Sequence, residues 1–339
     1  MRLLISALLF SATAALAQSP ASVRGMEGAL LKGDGVAATT YAAAARGEQL
    51  GEKDRSYVTC VEGRLGRPVS TDQGLPPFTA RVLNAYQLYW QQSLLNPPAR
   101  AGYEMALASR LAELLGQADR DFSGLEDQLR SRLASDGFYS LMGVTPPLRE
   151  LMLWRTQSAR SFQVALPEQD YESRVVMLDD FASLGWAGWA TCGNRSTGGW
   201  ATESTLYAVM PRYPGGVGSN AFLAVLLTHE TQHFADKNRF QKLQPWELEY
   251  RAKLAELWAA DDATAADRLG SFVDSQSDDP SLAHPYANAR VLTGLAGLLR
   301  ASPLGVGRSA LREAARTLLA RDTAARGGPR PAAEAGSPR

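Results

Sequence analysis

A chain of 339 residues with 45% apolar content can bury a substantial core and build two modest domains, or one domain with a large helical extension. Lys plus Arg and Asp plus Glu both number 35. With no net field to draw in polyanions, the balance argues against a general nucleic-acid-binding or acidic-membrane role and leaves open only a local basic patch.

The chain starts like an export signal. Met1-Arg2 gives a short positive start, Leu3 to Phe10 is apolar apart from Ser6, and Ala15-Leu16-Ala17 supplies a small-x-small cleavage pattern. Residues 1–17 are therefore expected to be a signal peptide, with an uncleaved anchor as the alternative. An oxidising destination would allow the two cysteines, Cys60 and Cys192, to pair in a structural disulfide; the other reading is two buried thiols. Their spacing matches no thiolate metal motif.

Residues 18–165 are read as a helical N-terminal region. Gly28 to Arg46, interrupted by Gly33-Asp34-Gly35, predicts two short helices and a turn. Phe78 to Leu95 places Val82, Leu83, Tyr86, Tyr89 and Trp90 at helical spacing and ends before Asn96-Pro97-Pro98. Tyr103 to Leu115 and Phe122 to Leu133 repeat the pattern. Thr145-Pro146-Pro147 is expected to open a further helix running to about Phe162.

The texture changes near residue 165, and residues 166–323 are read as a separate metal-binding region. Arg174 to Leu178 is apolar and rich in β-branched residues, a strand candidate. The Gly- and Trp-rich stretch from Gly185 to Trp200 suggests turns and another strand, and Thr205 to Met210 a third. Asn220 to about Lys237 reads as a long helix, Pro245 to Ala260 as a second, and Pro285–Leu299 and Gly307–Ala320 as two more. The Pro-, Gly- and Ala-rich residues 324–339 read as a disordered tail. The predicted fold class is α+β, predominantly helical, with a short sheet and no membrane-spanning segment after the leader.

The long helix carries His229-Glu230-Thr231-Gln232-His233. Two histidines four apart project from one face about one turn apart, and their imidazoles can grip one zinc ion. Glu230 falls on the adjoining flank, where a base is useful. The whole chain has three histidines, so this pairing with a Glu behind the first is a rare coincidence. The alternative is a buried helix with two satisfied core histidines.

The segment Leu226-Leu227-Thr228-His229-Glu230-Thr231-Gln232-His233-Phe234-Ala235 resembles the active-site helix of the zincin metallopeptidases. That resemblance implies an α+β catalytic region, zinc held by His229 and His233, and Glu230 as general base. It also implies an edge strand before the helix that binds extended peptide. Thr205 to Met210 is the candidate, although those residues also suit an interior strand. No Gly and third His follow at metzincin spacing, which turns attention to the gluzincins, where a Glu on the next helix completes the site. Glu249, followed three residues later by Ala252, is similar to their Glu-x-x-Ala pattern. Glu256, Glu247 and Asp236 remain rivals. Glu247 and Glu249 lie about 200° apart around a helix, so both cannot face one ion. Glu247 has Arg251 four residues on as a surface partner, and Asp236 suits a helix end or a ligand-orienting role. His284 and Tyr286 are candidates for oxyanion donors, or simply residues at a helix start.

The function expected is an exported, periplasmic or secreted zinc hydrolase acting on peptide or protein substrates. The alternatives are a binding or scaffold protein with a structural or vestigial zinc site, and a zinc hydrolase of another amide or ester. Gly216-Val217-Gly218-Ser219-Asn220-Ala221 has the form of a dinucleotide-binding turn, but Pro211 to Gly215 separate it from the strand and no parallel strand follows. It reads as a flexible turn.

Overall fold

The computed structural model describes residues 8–9, 19–69, 74–118 and 121–327. The expected leader lies outside these residues apart from Leu8–Leu9, a two-residue strand, β1. Of the expected tail, residues 328–339 lie outside them, whereas Ala324 and Ala325 belong to the last helix. The chain forms two compact units. One comprises residues 1–158 and 178–198, the other residues 159–177 and 199–339. It passes between them within two long strands, β3 (Leu148–Ala165) and β4 (Asp170–Leu184).

The first unit opens with six helices: α1 (Ala21–Leu31), α2 (Gly35–Ala45), α3 (Glu52–Gly66), α4 (Pro77–Leu95), α5 (Arg100–Leu115) and α6 (Phe122–Ser135). Local chemistry sets their ends. Asp34 caps α2 by accepting from Ala37 N at 2.8 Å. Pro77 sits in the first turn of α4, where its missing N–H is harmless. Gly116 ends α5 in the left-handed region at φ 67°. Val82, Leu83, Tyr86, Trp90 and Leu94 of α4 are fully buried, as their spacing predicts.

The helix expected after Pro147 is not formed. β2 (Tyr139–Thr145) and β3 make an antiparallel hairpin in which Thr145 faces Leu148, and Pro146-Pro147, joined by a cis peptide bond, occupy the turn. The reason lies in burial. Leu148 is buried, and so are Leu151, Met152, Leu153 and Trp154, an unbroken apolar run that serves a strand covered on both faces. Such a run has no period that distinguishes helix from strand. Trp90 Nε1 donates to Arg149 O at 2.8 Å, and Arg149 N donates to Tyr89 Oη at 3.1 Å, so α4 also satisfies backbone groups of this strand.

The stretch expected as turns includes a short helix, α7 (Gly185–Ala190). Gly185 has φ 83°, and a side chain there would run into the Glu150 carboxyl. Glu150 Oε1 accepts from Trp186 N at 2.9 Å and Leu151 N at 3.1 Å. A disulfide joins Cys60 of α3 to Cys192 just beyond α7, with the Cα atoms 6.3 Å apart.

The sheet has strand order β1-β5-β6-β4-β3-β2, where β5 is Thr197–Ala201 and β6 is Thr205–Val209. Within the second unit, β5 and β6 pair antiparallel, with Trp200 opposite Tyr207 and their rings stacked at 5.2 Å. β6 lies between β5 and β4, so the strand expected to be an open edge is an interior one.

The second unit continues with a π-helix (Ala221–Thr228) leading directly into α8 (His229–Arg239). After it come α9 (Pro245–Ala259), α10 (Asp262–Asp274), α11 (Ala283–Leu299) and α12 (Arg308–Ala325). α10 has no counterpart among the predicted helices, although Ala265, Leu269 and Phe272, which it buries, recur at helical spacing. No helix among the described residues is long and apolar enough to cross a membrane.

Burial pushes the Glu150 carboxyl up to about 7, against the pull of the Trp186 and Leu151 N–H groups. A carboxyl raised in the folded state stabilises it below the unfolded value and loses that contribution as pH rises through about 7. Wild-type stability should therefore fall by about 1–3 kcal/mol more than that of Glu150→Gln between roughly pH 4.5 and 7.5. Urea unfolding across that range checks this; parallel pH profiles for the two proteins would contradict it.

Candidate metal centre

The wholly apolar residues 221–227 carry the histidine helix into the interior, with Phe222 and Leu226 fully buried. Thr228 Oγ1 donates to Leu223 O at 2.9 Å, five residues back, satisfying a carbonyl of the wide π-turn. α8 then places His229, Glu230 and His233 in a nearly sealed environment, 1%, 3% and 8% exposed. The two imidazoles meet edge to face with centroids 4.8 Å apart, as a spacing of four on one helix requires.

α9 supplies the acid. Glu249 Oε1 lies 3.2 Å from His233 Nε2, and Glu249 Oε2 lies 3.5 Å from His229 Nε2. One ligating atom from each of His229, His233 and Glu249 falls within 4.8 Å of the others. Ala252, one turn on, is fully buried.

The rivals of Glu249 stand elsewhere. Glu256 is fully buried behind His229, where Oε2 accepts from Nδ1 at 3.0 Å and Oε1 is held by Arg268 Nε of α10. Glu247 caps α9 by accepting from Gln244 N at 2.6 Å and pairs with Arg326 at 3.0 Å. Its expected surface partner Arg251 is instead fully buried. Arg251 pairs with Asp236 at 2.9 Å, Asp322 at 2.8 Å and Glu168 at 3.4 Å. Asp236 also accepts from Gln232 Nε2 at 2.9 Å, so it ties α8 to α9.

Of the two candidate donors, His284 joins the cluster. Its Nδ1 is 2.8 Å from Glu249 Oε2, and its side chain is 42% exposed. The Tyr286 ring packs edge-on against Trp246, with centroids 5.1 Å apart. Three neighbours were not singled out in the sequence: Lys253, Arg268 and Tyr213. Lys253 lies one turn after Glu249, with Nζ 3.9 Å from Oε2 and the side chain 4% exposed. Helical i,i+4 spacing was the available signal. Lys253 and Arg268 both stand over the Phe272 ring, at 4.9 and 5.2 Å. Tyr213 is buried, and burial, followed by the Glu230 charge, pushes its hydroxyl above the ordinary range.

The electrostatics follow from this crowding. Burial alone would raise the Glu249 carboxyl, but the charge and hydrogen bonding of His233, His229 and His284 hold it well below the usual carboxylate range. Burial likewise disfavours a charged His229, yet Glu249 and Glu256 together take it up to about 9. Burial lowers Lys253, with Glu249 and Glu256 pulling the other way.

Donor chemistry and unmet polar atoms both fit a divalent ion. Two imidazoles and one carboxylate are a familiar three-ligand set for zinc. His229 Nε2 is buried without a hydrogen-bond partner, 3.5 Å from a Glu249 Oε2 that His284 Nδ1 approaches at 2.8 Å, and Glu230 Oε1 is likewise buried and unpartnered. Unmet polar atoms at such depth are unfavourable unless a further partner satisfies them. No protein-family model, curated protein or solved structure matches this chain.

Removing Arg251 leaves Asp236, 1% exposed, without its cation. Arg251→Met should lower stability by about 3–5 kcal/mol in chelator-treated protein, measured by urea unfolding. A change within experimental error would show that the pair is not structural.

Proposed function

We propose that the chain is an exported zinc-dependent hydrolase of the zincin type that cleaves peptide bonds. The observation that carries this reading is the cluster of His229, His233 and Glu249, one ligating atom of each within 4.8 Å of the others, with His229 Nε2 buried and lacking a hydrogen-bond partner. The peptide preference comes from the likeness of residues 226–235 to the zincin helix. The disulfide between Cys60 and Cys192 supports an oxidising destination.

When bound, the zinc ion would supply a Lewis acid for a carbonyl oxygen and make water more acidic. Glu230 provides the base. Its carboxyl is 3% exposed, and its unpartnered Oε1 is the atom to take the proton from the attacking water and return it to the leaving amine. His284 stands at the more exposed side of the cluster. With its Nδ1 beside Glu249, its Nε2 is the nitrogen left to donate to a developing oxyanion.

Wild type purified without chelator should hold about one zinc per chain, as the three-ligand set implies. Glu230→Gln should keep that metal while hydrolysis of a peptide library falls by roughly 10²–10⁴-fold. Metal analysis and product mass spectrometry read both arms. Wild type devoid of zinc, or a fully active Glu230→Gln, would overturn the proposal. Turnover of esters or other amides with intact peptides would narrow it to a hydrolase of a different substrate.

A further inference from the structure

We infer that Glu256 and Arg268 are positioning residues that fix His229 as a ligand through Nε2, and that His233 has no such support. This rests on the zinc-site reading above and adds to it the way the two imidazoles are prepared.

A neutral imidazole carries one N–H and one bare nitrogen, and the hydrogen bond made by one sets the role of the other. An ionised carboxylate can only accept. Glu256 Oε2 lies 3.0 Å from His229 Nδ1, so in the neutral imidazole that a metal ion requires Nδ1 is the donor and the lone pair falls on Nε2, toward Glu249. The other oxygen of Glu256 is held by Arg268 Nε, so both oxygens are engaged and the carboxylate cannot turn away. Glu256 is fully buried and Arg268 is 15% exposed in its side chain, which leaves little water to compete. The two residues reach His229 from different elements: Glu256 from the helix that also bears Glu249, Arg268 from α10.

His233 differs. Its Nε2 faces Glu249 Oε1 at 3.2 Å, but its Nδ1 is buried and makes no hydrogen bond among the described residues. Among the described residues, no hydrogen bond behind the ring selects its tautomer. The centre is therefore asymmetric: one imidazole is braced from behind by a carboxylate and a guanidinium, and the other has only Glu249 before it.

Zinc affinity, measured by competition with a chromophoric chelator, should fall about 10- to 100-fold in Glu256→Gln, the usual effect of losing such an outer partner. Arg268→Gln should lose part of the affinity, and Arg268→Lys should restore it. A merely structural role would lower unfolding midpoints and leave the affinity of the folded protein unchanged. The wild-type protein supplies a second readout that needs no variant. Loaded with cadmium-113 and labelled with nitrogen-15 histidine, it should show metal coupling at Nε2 of His229 and a slowly exchanging Nδ1–H. Coupling at Nδ1, or equal zinc affinity in wild type and folded Glu256→Gln, would overturn the inference while leaving the zinc site intact. A wild type that binds neither metal would instead defeat the functional reading itself.

Discussion

The second unit holds one unfavourable juxtaposition: a buried carboxylate, Glu249, set against two buried imidazoles, with His229 Nε2 and the neighbouring Glu230 Oε1 left without hydrogen-bond partners. Polar atoms at such depth must be satisfied or the fold loses stability. A sequence free to relax would fill this space with apolar side chains. Bringing these groups together takes a helix driven into the core by residues 221–227 and a second helix carrying the acid.

The charges around the cluster make that arrangement tolerable. Glu256 is matched by Arg268, Asp236 by Arg251, and Glu249 has Lys253 at 3.9 Å. Arg251, fully buried, spans three carboxylates from separate parts of the unit, namely Asp236, Glu168 and Asp322. Such pairs add little net stability compared with apolar packing, but each becomes strongly destabilising when one partner is removed. They hold α8, α9 and α12 in register, and through α8 and α9 they fix where the imidazoles and Glu249 meet. Lys253 and Arg268 share the Phe272 ring, which gives both cations an apolar but polarisable neighbour.

Much of this centre was legible because helical geometry is rigid. A spacing of four fixes His229 and His233 on one face whatever surrounds them, and the 200° argument separates Glu249 from Glu247 without tertiary information. Glu256 stayed a rival because it does share a face with Glu249. Only depth distinguishes them, one meeting the imidazoles in front and the other meeting Nδ1 from behind. The Glu247–Arg251 pair failed because local spacing says nothing about burial, and long-range carboxylates claimed Arg251. His284 reached Glu249, whereas Tyr286 found Trp246. In the first unit the helices of residues 77–135 followed their periodicity, and the two expected within residues 28–46 formed, the first starting earlier, at Ala21. Residues 148–154 did not, because the apolar run Leu151–Trp154 carries no period, and α10 was missed although Ala265, Leu269 and Phe272 recur at helical spacing. The Cys60–Cys192 disulfide formed as an oxidising destination would allow.

The most direct test is diffraction from crystals of zinc-loaded protein on both sides of the zinc absorption edge. One anomalous peak is expected about 2.0–2.2 Å from His229 Nε2, a His233 ring nitrogen and a Glu249 oxygen, with Glu256 still on His229 Nδ1. A peak elsewhere, or none with these residues ordered, would contradict it.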